Sequence, residues 1–599
     1  MRSIIPSAAI LFIACTNLIV PTYGAVNGNR HRFSTLERSS PDFAVPKCIA
    51  CIPRGGANSK EQTANLQSMY PDVVKRFAKV TAVEEKKSSW FPIQKSELRQ
   101  FVSMSVMMFL FIYVYTTVRD TKDTLVVSNC GAESIPFLKM WGVMPSAMVF
   151  IIVYSKLSQM LGKQALFYAT LTPFFAFYTF FAFFLFPKRD AIHFVNSASN
   201  AGAAGAVNLL RYWSFSLYFI VSELWASAGV PLLFWQVAND ITTVSQAQRF
   251  YPLFAVFGNL APIASGRIMS FLVSRHSSDE SGFGTTLKSL AVVKGASGLA
   301  IAVLYHMIYK EARRTAKEEE VQDFVNKVQK VIDIKKGGVE VMEVKFNMKR
   351  KAEPVKRKPT LRESVSELSK SKELRSIAIM VLGYNVCVEL TEVLWKGILR
   401  KTHPTESSYM NFMASFSQKV GFIALVLQLT ASIVIQKLGW INASQLTPLT
   451  MLALAVPFFL MVALSQRNPE VVPLSLALTI GTWQNVVNKV AKYSLFDPLK
   501  EMAYIPMGPD AKTKGKAAID VLGARLGRSL AAASQQILVL ATGNILECAP
   551  YLAGLYFGTI TLWIQAVKVL GKMFDNEKPS DVEDATFGNV SIRTKRRKV

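Results

Sequence analysis

The sequence predicts an all-α membrane protein in which about twelve transmembrane helices form two six-helix halves. Apolar residues make up 51% of the 599 residues and charged residues only 18%, whereas a soluble protein carries about a quarter charged residues. The apolar residues gather in blocks of about 18 to 25, the length that crosses a hydrocarbon core. A long basic stretch divides these blocks into two equal groups.

The N-terminal region predicts targeting segments. An apolar run at 4–20 is followed by the small residues Thr22 and Gly24, so residues 1–24 fit a secretory signal peptide. Residues 25–90 form a transit-like segment and basic tail, which begins rich in Ser, Asn and Arg and poor in acidic residues. This succession is typical of algal plastids that are enclosed by extra membranes. A signal anchor followed by an unstructured tail is the alternative.

The apolar blocks follow one another with short polar breaks. We expect a first six-helix half at 91–309, a basic central loop at 310–373, a second six-helix half at 374–572 and a basic C-terminal tail at 573–599. The expected spans lie near 101–118, 135–155, 164–186, 211–236, 250–273, 288–309, 375–396, 409–436, 445–465, 471–489, 519–545 and 547–571.

The positive charge supports this topology. The formal net charge is +27, and basic residues concentrate before the first apolar block, in the central loop and in the tail. Positive charge marks the cytosol-equivalent side, and six spans per half place all three segments on that side. Two such halves with a long basic connector are the organisation of a major-facilitator-type transporter. Basic residues beside apolar blocks favour membrane topology and anionic small molecules over nucleic acid.

Charged residues in the first six blocks are candidates for handling cargo, because a charge near the bilayer centre costs at least ~2.5 kcal/mol. Arg119 and Lys122 follow the first block, with Asp123 one helical turn after Arg119. They predict either cavity-lining cations held by carboxylates or a charged turn between two spans. Glu223 has eleven uncharged residues before it and sixteen after it. This isolation favours proton coupling or substrate contact.

The second half brings a glutamate and further cations. Glu392 and Lys396 lie one turn apart at the end of the seventh block, which predicts an internal salt bridge, a cargo contact or both. More lysines recur around two helix-breaking prolines after the tenth block: Lys489, Lys492, Lys514 and Lys516. Lysines offer mobile charged donors to phosphate oxygens. A basic loop that only sets the topology is the alternative.

Neither an enzyme nor a metal site is expected. Cys48 and Cys51 form a C-x-x-C that has no second pair and no nearby histidine. The five histidines are scattered along the chain, so no convergent acid–base group or metal cluster is predicted. Residues 508–516 lack the glycine spacing and the Ser or Thr of a P-loop. We therefore expect no cofactor.

Several strings in both halves resemble the plastid and bacterial-endosymbiont ATP/ADP carrier family, over about residues 90 to 570. The resemblance implies a twelve-helix transporter that exchanges ATP for ADP across a plastid envelope membrane by alternating access, and we expect a monomer. Proton-coupled net import of several nucleoside triphosphates, or transport of another phosphorylated anion, are the alternatives. The strings are RDTKDTLVV (119–127), GAESIPFLK (131–139), FWQVAND (234–240), RFYPLFA (249–255), KYSLFDPLKEMAYIP (492–506) and KGKAAIDVLGARLG (514–527).

The resemblance also implies functional residues: Lys122, Glu223, Glu392, and Lys514 or Lys516. Arg528 stands where family members often carry lysine, so the cation is kept, whereas Leu530 replaces a glycine. We expect the first, fourth, seventh and tenth spans to line a cavity in which the cations, including Arg119, bind phosphates. Aromatic residues near Trp225 and Trp395 are expected to hold the base. The two glutamates would pair with the cations in the empty cavity or bind protons.

Overall fold

The computed structural model describes residues 93, 97–194, 204–276, 282–336, 371–504, 507, 519 and 523–576. Within these ranges every regular element is a helix, in agreement with the predicted fold class. The predicted signal peptide at 1–24 and the transit-like segment at 25–90 lie outside the described residues. Lys514, Lys516 and the tail from residue 577 lie outside them too.

Twelve long helices in the described ranges correspond to the twelve expected spans. They are α1 (Leu98–Cys130), α2 (Ser134–Met160), α3 (Lys163–Leu185), α4 (Trp213–Ile241), α5 (Val244–Arg275), α6 (Gly282–Lys336), α7 (Lys372–Thr402), α8 (406–438), α9 (440–467), α10 (Leu474–Ala491), α11 (Ala524–Thr542) and α12 (Ala549–Asn576). Shorter helical pieces lie at Arg189–Ile192, Ala204–Arg211, Lys492–Phe496 and Asp497–Met502.

Ten of the described helices are long and apolar enough to cross a membrane. The two others, α10 and α11, are shorter and carry polar side chains in their interiors, including Gln484 and Gln535, which are fully buried. A helix that faces a polar cavity or a polar neighbour needs fewer apolar residues than one that faces lipid. Their lower hydropathy therefore fits helices that turn one polar face to the bundle and an apolar face, with Leu476, Ile537 and Leu540, outwards.

The first helix continues well past its expected end at residue 118, and this extension decides between two interpretations of its charges. The hydroxyls of Thr117, Thr121 and Thr124 each donate to the carbonyl oxygen one turn earlier, so these polar side chains are satisfied within the helix. Arg119 and Lys122 consequently lie on a regular helix that runs to Cys130. The charged-turn alternative is excluded.

A glycine separates the eighth helix from the ninth. Gly439 has φ of 72°, a left-handed conformation that glycine adopts without the steric penalty of a side chain. The chain therefore breaks its helix at this position, inside the gap that hydropathy predicts between 436 and 445. Helix α6, by contrast, continues to Lys336, beyond its apolar part, because the residues after 310 are mostly strong helix formers.

The halves meet along α5 and α8, where the backbones come very close. A Cβ atom built on Gly266 of α5 would lie 2.3 Å from the carbonyl oxygen of Ala414 on α8. One on Gly421 of α8 would lie 3.0 Å from the carbonyl oxygen of Asn259 on α5. Both positions therefore require glycine. Helix α1 also packs against α7 and α8, so the charged end of α1 lies at the boundary between the halves.

Candidate functional site

Lys122 lies between two helices of the first half. Its Nζ is 2.9 Å from Oδ1 of Asp123 and 3.0 Å from Oε1 of Glu223 on α4. The same nitrogen lies 3.8 Å from the centre of the Phe219 ring, one turn before Glu223. The helix brings Phe219 and Glu223 to one face. Lys122 is thus held by two carboxylates and an aromatic face, with only 5% of its surface exposed.

Asp123 connects this group to the second half. Lys396 of α7 places its Nζ 2.9 Å from Oδ2 of Asp123 and 3.1 Å from Oε1 of Glu392. The Lys396 and Asp123 side chains are 3% and 1% exposed, so their ion pair is weakly screened by solvent. Lys489 of α10 lies 3.4 Å from Oε1 of Glu392. A continuous set of ion pairs therefore crosses the boundary between the halves.

We call this set the central network. It comprises three lysines and three carboxylates, so its formal charges cancel. Its members come from α1, α4, α7 and α10, the four helices that the sequence predicts to line a cavity. In order from the first half to the second they are Glu223, Lys122, Asp123, Lys396, Glu392 and Lys489.

Arg119 has different partners from the expected one. The sequence predicts a contact with Asp123, but the guanidinium lies 2.9 Å from Oδ1 of the adjacent Asp120. It also donates to the hydroxyl of Ser417 on α8 at 2.7 Å, and that hydroxyl donates to Oδ2 of Asp120. The one-turn spacing predicts that Arg119 reaches Asp123 along its own helix. Instead Asp120 and Ser417, which meet across the interface of α1 and α8, hold the guanidinium. Arg119 thus provides a second link between α1 and α8.

Two further predicted cations lie near the network without joining it. Lys492 pairs with Asp497 at 2.9 Å, and its Nζ lies 4.6 Å from the centre of the Tyr493 ring. Arg528 of α11 is exposed, although its Nε donates to Oδ1 of Asn385 on α7 at 3.3 Å.

Trp225 and Trp395 are themselves core residues, and the expectation that aromatic residues near them hold the base stays a prediction. Trp225 is 1% exposed and its ring packs against Phe111, Phe174 and Phe175. Trp395 is fully buried, and its Nε1 donates to the Thr482 hydroxyl at 3.1 Å. Large aromatic side chains dominate helix packing in cores, and the sequence pattern did not distinguish this use from a binding face.

Tyrosines supply the accessible aromatic faces instead. Tyr493 is 52% exposed. Tyr115 of α1 interacts electrostatically with Tyr493, and also with Arg119, Glu223 and Arg528. These interactions place Tyr115 and Tyr493 in the same charged region as Arg119, Glu223 and Arg528. A flat aromatic surface near several cations suits a ligand that combines an aromatic base with phosphates.

Four further contacts between the halves were not predicted from the sequence. Glu133 pairs with Arg400 at 3.5 Å, and Arg189 pairs with Glu406 at 3.5 Å. Both pairs join the halves, as does the hydrogen bond at 2.7 Å from Asn129 to Glu406. Lys139 and Glu389 form another such pair. The charges of GAESIPFLK were the available signal, since that string contains Glu133 and Lys139.

In the part of the chain that the structure describes, no group of three or more His, Cys, Asp or Glu side chains is placed to hold a metal ion.

Comparisons with known proteins give one consistent result. A family model described as TLC ATP/ADP transporter matches residues 78–574. ADP,ATP carrier protein 1 of Chlamydia pneumoniae is 36% identical over 521 residues, covering 83% of this chain and 96% of its own. ADP,ATP carrier protein 2, chloroplastic, of Arabidopsis thaliana is 35% identical over 502 residues, covering 81% and 76%. The plastidic ATP/ADP-transporter of Solanum tuberosum is 35% identical over 525 residues, covering 85% and 79%.

Among solved structures, a bacterial homologue of the iron transporter ferroportin in its inward-facing state matches with a TM-score of 0.49 and 10% sequence identity. The match covers 80% of this chain and 98% of that chain.

Proposed function

Because this chain belongs to the TLC ATP/ADP transporter family, we propose that it exchanges ATP for ADP across a plastid envelope membrane by alternating access. The observation that carries the proposal is the central network, which joins the halves through ion pairs that a phosphorylated cargo can replace. Plastidic relatives at about 35% identity support the plastid membrane as the location.

The network gives a physical reason for exchange rather than free passage. In the empty carrier the lysines are occupied by Asp123, Glu223 and Glu392. Separating the halves at this level would break the buried pair between Lys396 and Asp123, and breaking a buried pair without replacement costs about 3–5 kcal/mol. Phosphate oxygens accept charge-assisted hydrogen bonds from the same lysines. A bound nucleotide therefore lowers the barrier to reorientation, which the empty carrier crosses slowly.

The surrounding groups suit the rest of a nucleotide. Arg528 and Lys492 add cations beside the network, and Tyr493 offers an exposed ring for the base. Arg119 is held by Asp120 and Ser417, so we assign it to the α1–α8 contact and to long-range attraction of phosphates. Lys514 and Lys516 lie outside the described residues and remain predicted phosphate ligands.

Two ion pairs between the halves, which lie after the ends of α1, α3 and α7, indicate which side of the carrier is closed. The two pairs that we call the outer gate are Glu133–Arg400 and Arg189–Glu406. Helices α1, α3 and α7 begin on the basic side of the membrane. The two pairs follow the ends of these helices, so both pairs lie at the opposite membrane face. With the halves joined there, access to the network is from the basic side. Opening of the outer gate would be the other half of the cycle.

The test is transport by the purified full chain in proteoliposomes. Uptake of labelled ATP is compared with and without internal ADP, and with and without a pH gradient. We expect uptake to require internal nucleotide and to ignore the gradient. Uptake into nucleotide-free vesicles that is driven by protons would instead establish symport. Equal competition by phosphate esters that lack a base would favour a carrier for another phosphorylated anion.

A further inference from the structure

A buried lysine in the first half lies outside the central network. Lys294 on α6 is 1% exposed, and its Nζ donates to the hydroxyl of Tyr218 on α4 at 2.9 Å. The rings of Tyr178 on α3 and of Tyr218 lie 5.2 and 5.5 Å from the same nitrogen. No carboxylate in the described part of the chain forms an ion pair with it. Lys122 and Lys396, by contrast, each contact two carboxylates.

The surroundings of Lys294 favour the neutral amine over the ammonium ion. An ammonium group has three donors, whereas Lys294 has one hydroxyl acceptor and two aromatic faces at long range. Burying a charge without a counter-ion is costly in a membrane protein. A neutral amine fits the site with its single hydrogen bond. Proton uptake by Lys294 therefore requires its surroundings to move or to hydrate.

The hydrogen-bond partner of Lys294 belongs to the helix that holds Lys122. Tyr218 precedes Phe219, whose ring contacts Lys122, and Glu223 lies one turn after Phe219 on the same face. Tyr218 points to the adjoining, fully buried face. The bond between Lys294 and Tyr218 is thus one of the contacts that hold the rotation of α4 about its axis. That rotation determines how Phe219 and Glu223 meet Lys122.

The other groups around this site do not supply a counter-charge. From α3 the titratable group is Tyr178, and from α4 it is Tyr218. From α1, the Thr121 side chain interacts with the Tyr218 hydroxyl, and Lys122 follows it in the chain. Helices α5 and α8 also pack against α6, and no described carboxylate on either of them forms an ion pair with Lys294.

We propose that Lys294 is a positioning residue that binds and releases a proton, and that its protonation loosens α4 and weakens nucleotide binding at Lys122. The proton comes from cavity water and reaches Nζ past the hydroxyls of Thr121 and Tyr218. This inference rests on the proposed nucleotide exchange. The proposal adds that pH regulates nucleotide binding through a group that does not contact the nucleotide.

The experiment compares pH profiles of ATP/ADP exchange for the parent, Lys294→Met and Lys294→Arg. From about pH 8 to about pH 6, the apparent KM for ATP should rise at least about threefold more in the parent than in Lys294→Met, with kcat changing little. The guanidinium of Lys294→Arg stays charged, so this variant should show the high KM throughout. Phosphates titrate in the same range, and the difference between variants removes that contribution.

Lys288→Met is the matched control, because Lys288 is an exposed lysine on the same helix. It should keep the parent profile. A Lys294→Met profile that coincides with the parent's overturns the role of Lys294, while exchange by the parent leaves the proposed function standing. Absence of exchange by the parent at every pH would instead refute the proposed function.

Folding does not decide the outcome, because replacing a buried unpaired lysine by methionine leaves no charge uncompensated. Nucleotide-induced thermal stabilisation of the purified variants gives a second readout that needs no transport. We expect the stabilisation by ATP to weaken on acidification more in the parent than in Lys294→Met, since the titration of the phosphates is common to both proteins. Equal weakening in both proteins would also contradict the proposal.

Discussion

Lys396 of α7 lies 2.9 Å from Asp123 of α1, so the two halves are joined by an ion pair whose side chains are 3% and 1% exposed. Each partner also has a second contact, Lys396 with Glu392 and Asp123 with Lys122. Because the pair is shared between the halves, it is both a stabilising contact and an obstacle to their movement. The first two predictions follow from this double role.

Replacing Lys396 by methionine should destabilise the carrier more than replacing both partners. Lys396→Met leaves the buried carboxylate of Asp123 and the partly exposed carboxylate of Glu392 without this cation, and breaking a buried pair costs about 3–5 kcal/mol. Adding Asp123→Asn removes one of the two charges and should restore part of the thermal stability. Melting of the detergent-purified proteins measures this coupling. Lys437→Met, at an exposed site on α8, is the control, and additive losses from the two mutations would contradict the shared pair.

Neutralising Glu392 should strengthen nucleotide binding and slow turnover. Glu392 competes with phosphates for Lys396 and Lys489, so Glu392→Gln frees Lys489 and removes one of the two carboxylate partners of Lys396, which keeps its pair with Asp123. We expect the KM for ATP to fall by about tenfold, the equivalent of ~1.4 kcal/mol, with a parallel fall in kcat because release is slower. Exchange kinetics test this, with Glu470→Gln at an exposed loop as the control. A higher KM with unchanged kcat would make Glu392 a direct contact for the cargo.

Reversing the charges of an outer-gate pair should impair exchange, and the double reversal should restore it. Glu133→Arg places a second cation beside Arg400, and Arg400→Glu places a second carboxylate beside Glu133. Like charges at this distance keep the gate open. The double variant recreates the pair with opposite polarity, and we expect at least half of the parent exchange rate. Lower activity in the double variant than in either single variant would show that the pair does not act as a gate.

An exposed tyrosine and a buried tryptophan should respond differently to mutation. Tyr493→Ala removes the accessible ring beside Lys492, and should raise the KM for ATP about tenfold, since aromatic stacking on a base contributes ~1–3 kcal/mol. Trp395→Phe removes a hydrogen bond to Thr482. It should lower thermal stability by about 1 kcal/mol and leave the KM unchanged. An unchanged KM in Tyr493→Ala would show that this ring does not bind the base.

Hydropathy and charge together predicted the helical fold, because the bilayer imposes the same length on every span. The isolation of Glu223 and the turn spacing of Glu392 and Lys396 likewise marked residues that meet in the network. These features depend only on residues close together in the chain, so they can be predicted from the sequence. The pair between Lys396 and Asp123 is different, since it depends on how α1 and α7 cross.

The unexpected partners of Arg119 and the full burial of Trp225 and Trp395 have the same origin. The direction of a side chain on a helix follows from spacing, but the neighbour that it meets is set by the packing of other helices. Arg119 meets Ser417 from the other half rather than Asp123 along its own helix. Both tryptophans turn towards other helices and away from the space between the halves. Hydrophobic pattern alone contains no information about these partners.

The bare backbones at the contact of α5 and α8 have a consequence for movement. Gly266 and Gly421 let the two helix backbones approach closely, with the side chains of Gln418 and Ile263 packed over the glycines. We expect each half to tilt about this line of contact. A methyl group on Gly266 would meet the Ala414 carbonyl oxygen at 2.3 Å and force the helices apart. Gly266→Ala should therefore bind ATP with the parent affinity and yet exchange it slowly, because the obstruction acts on tilting and leaves the cavity intact.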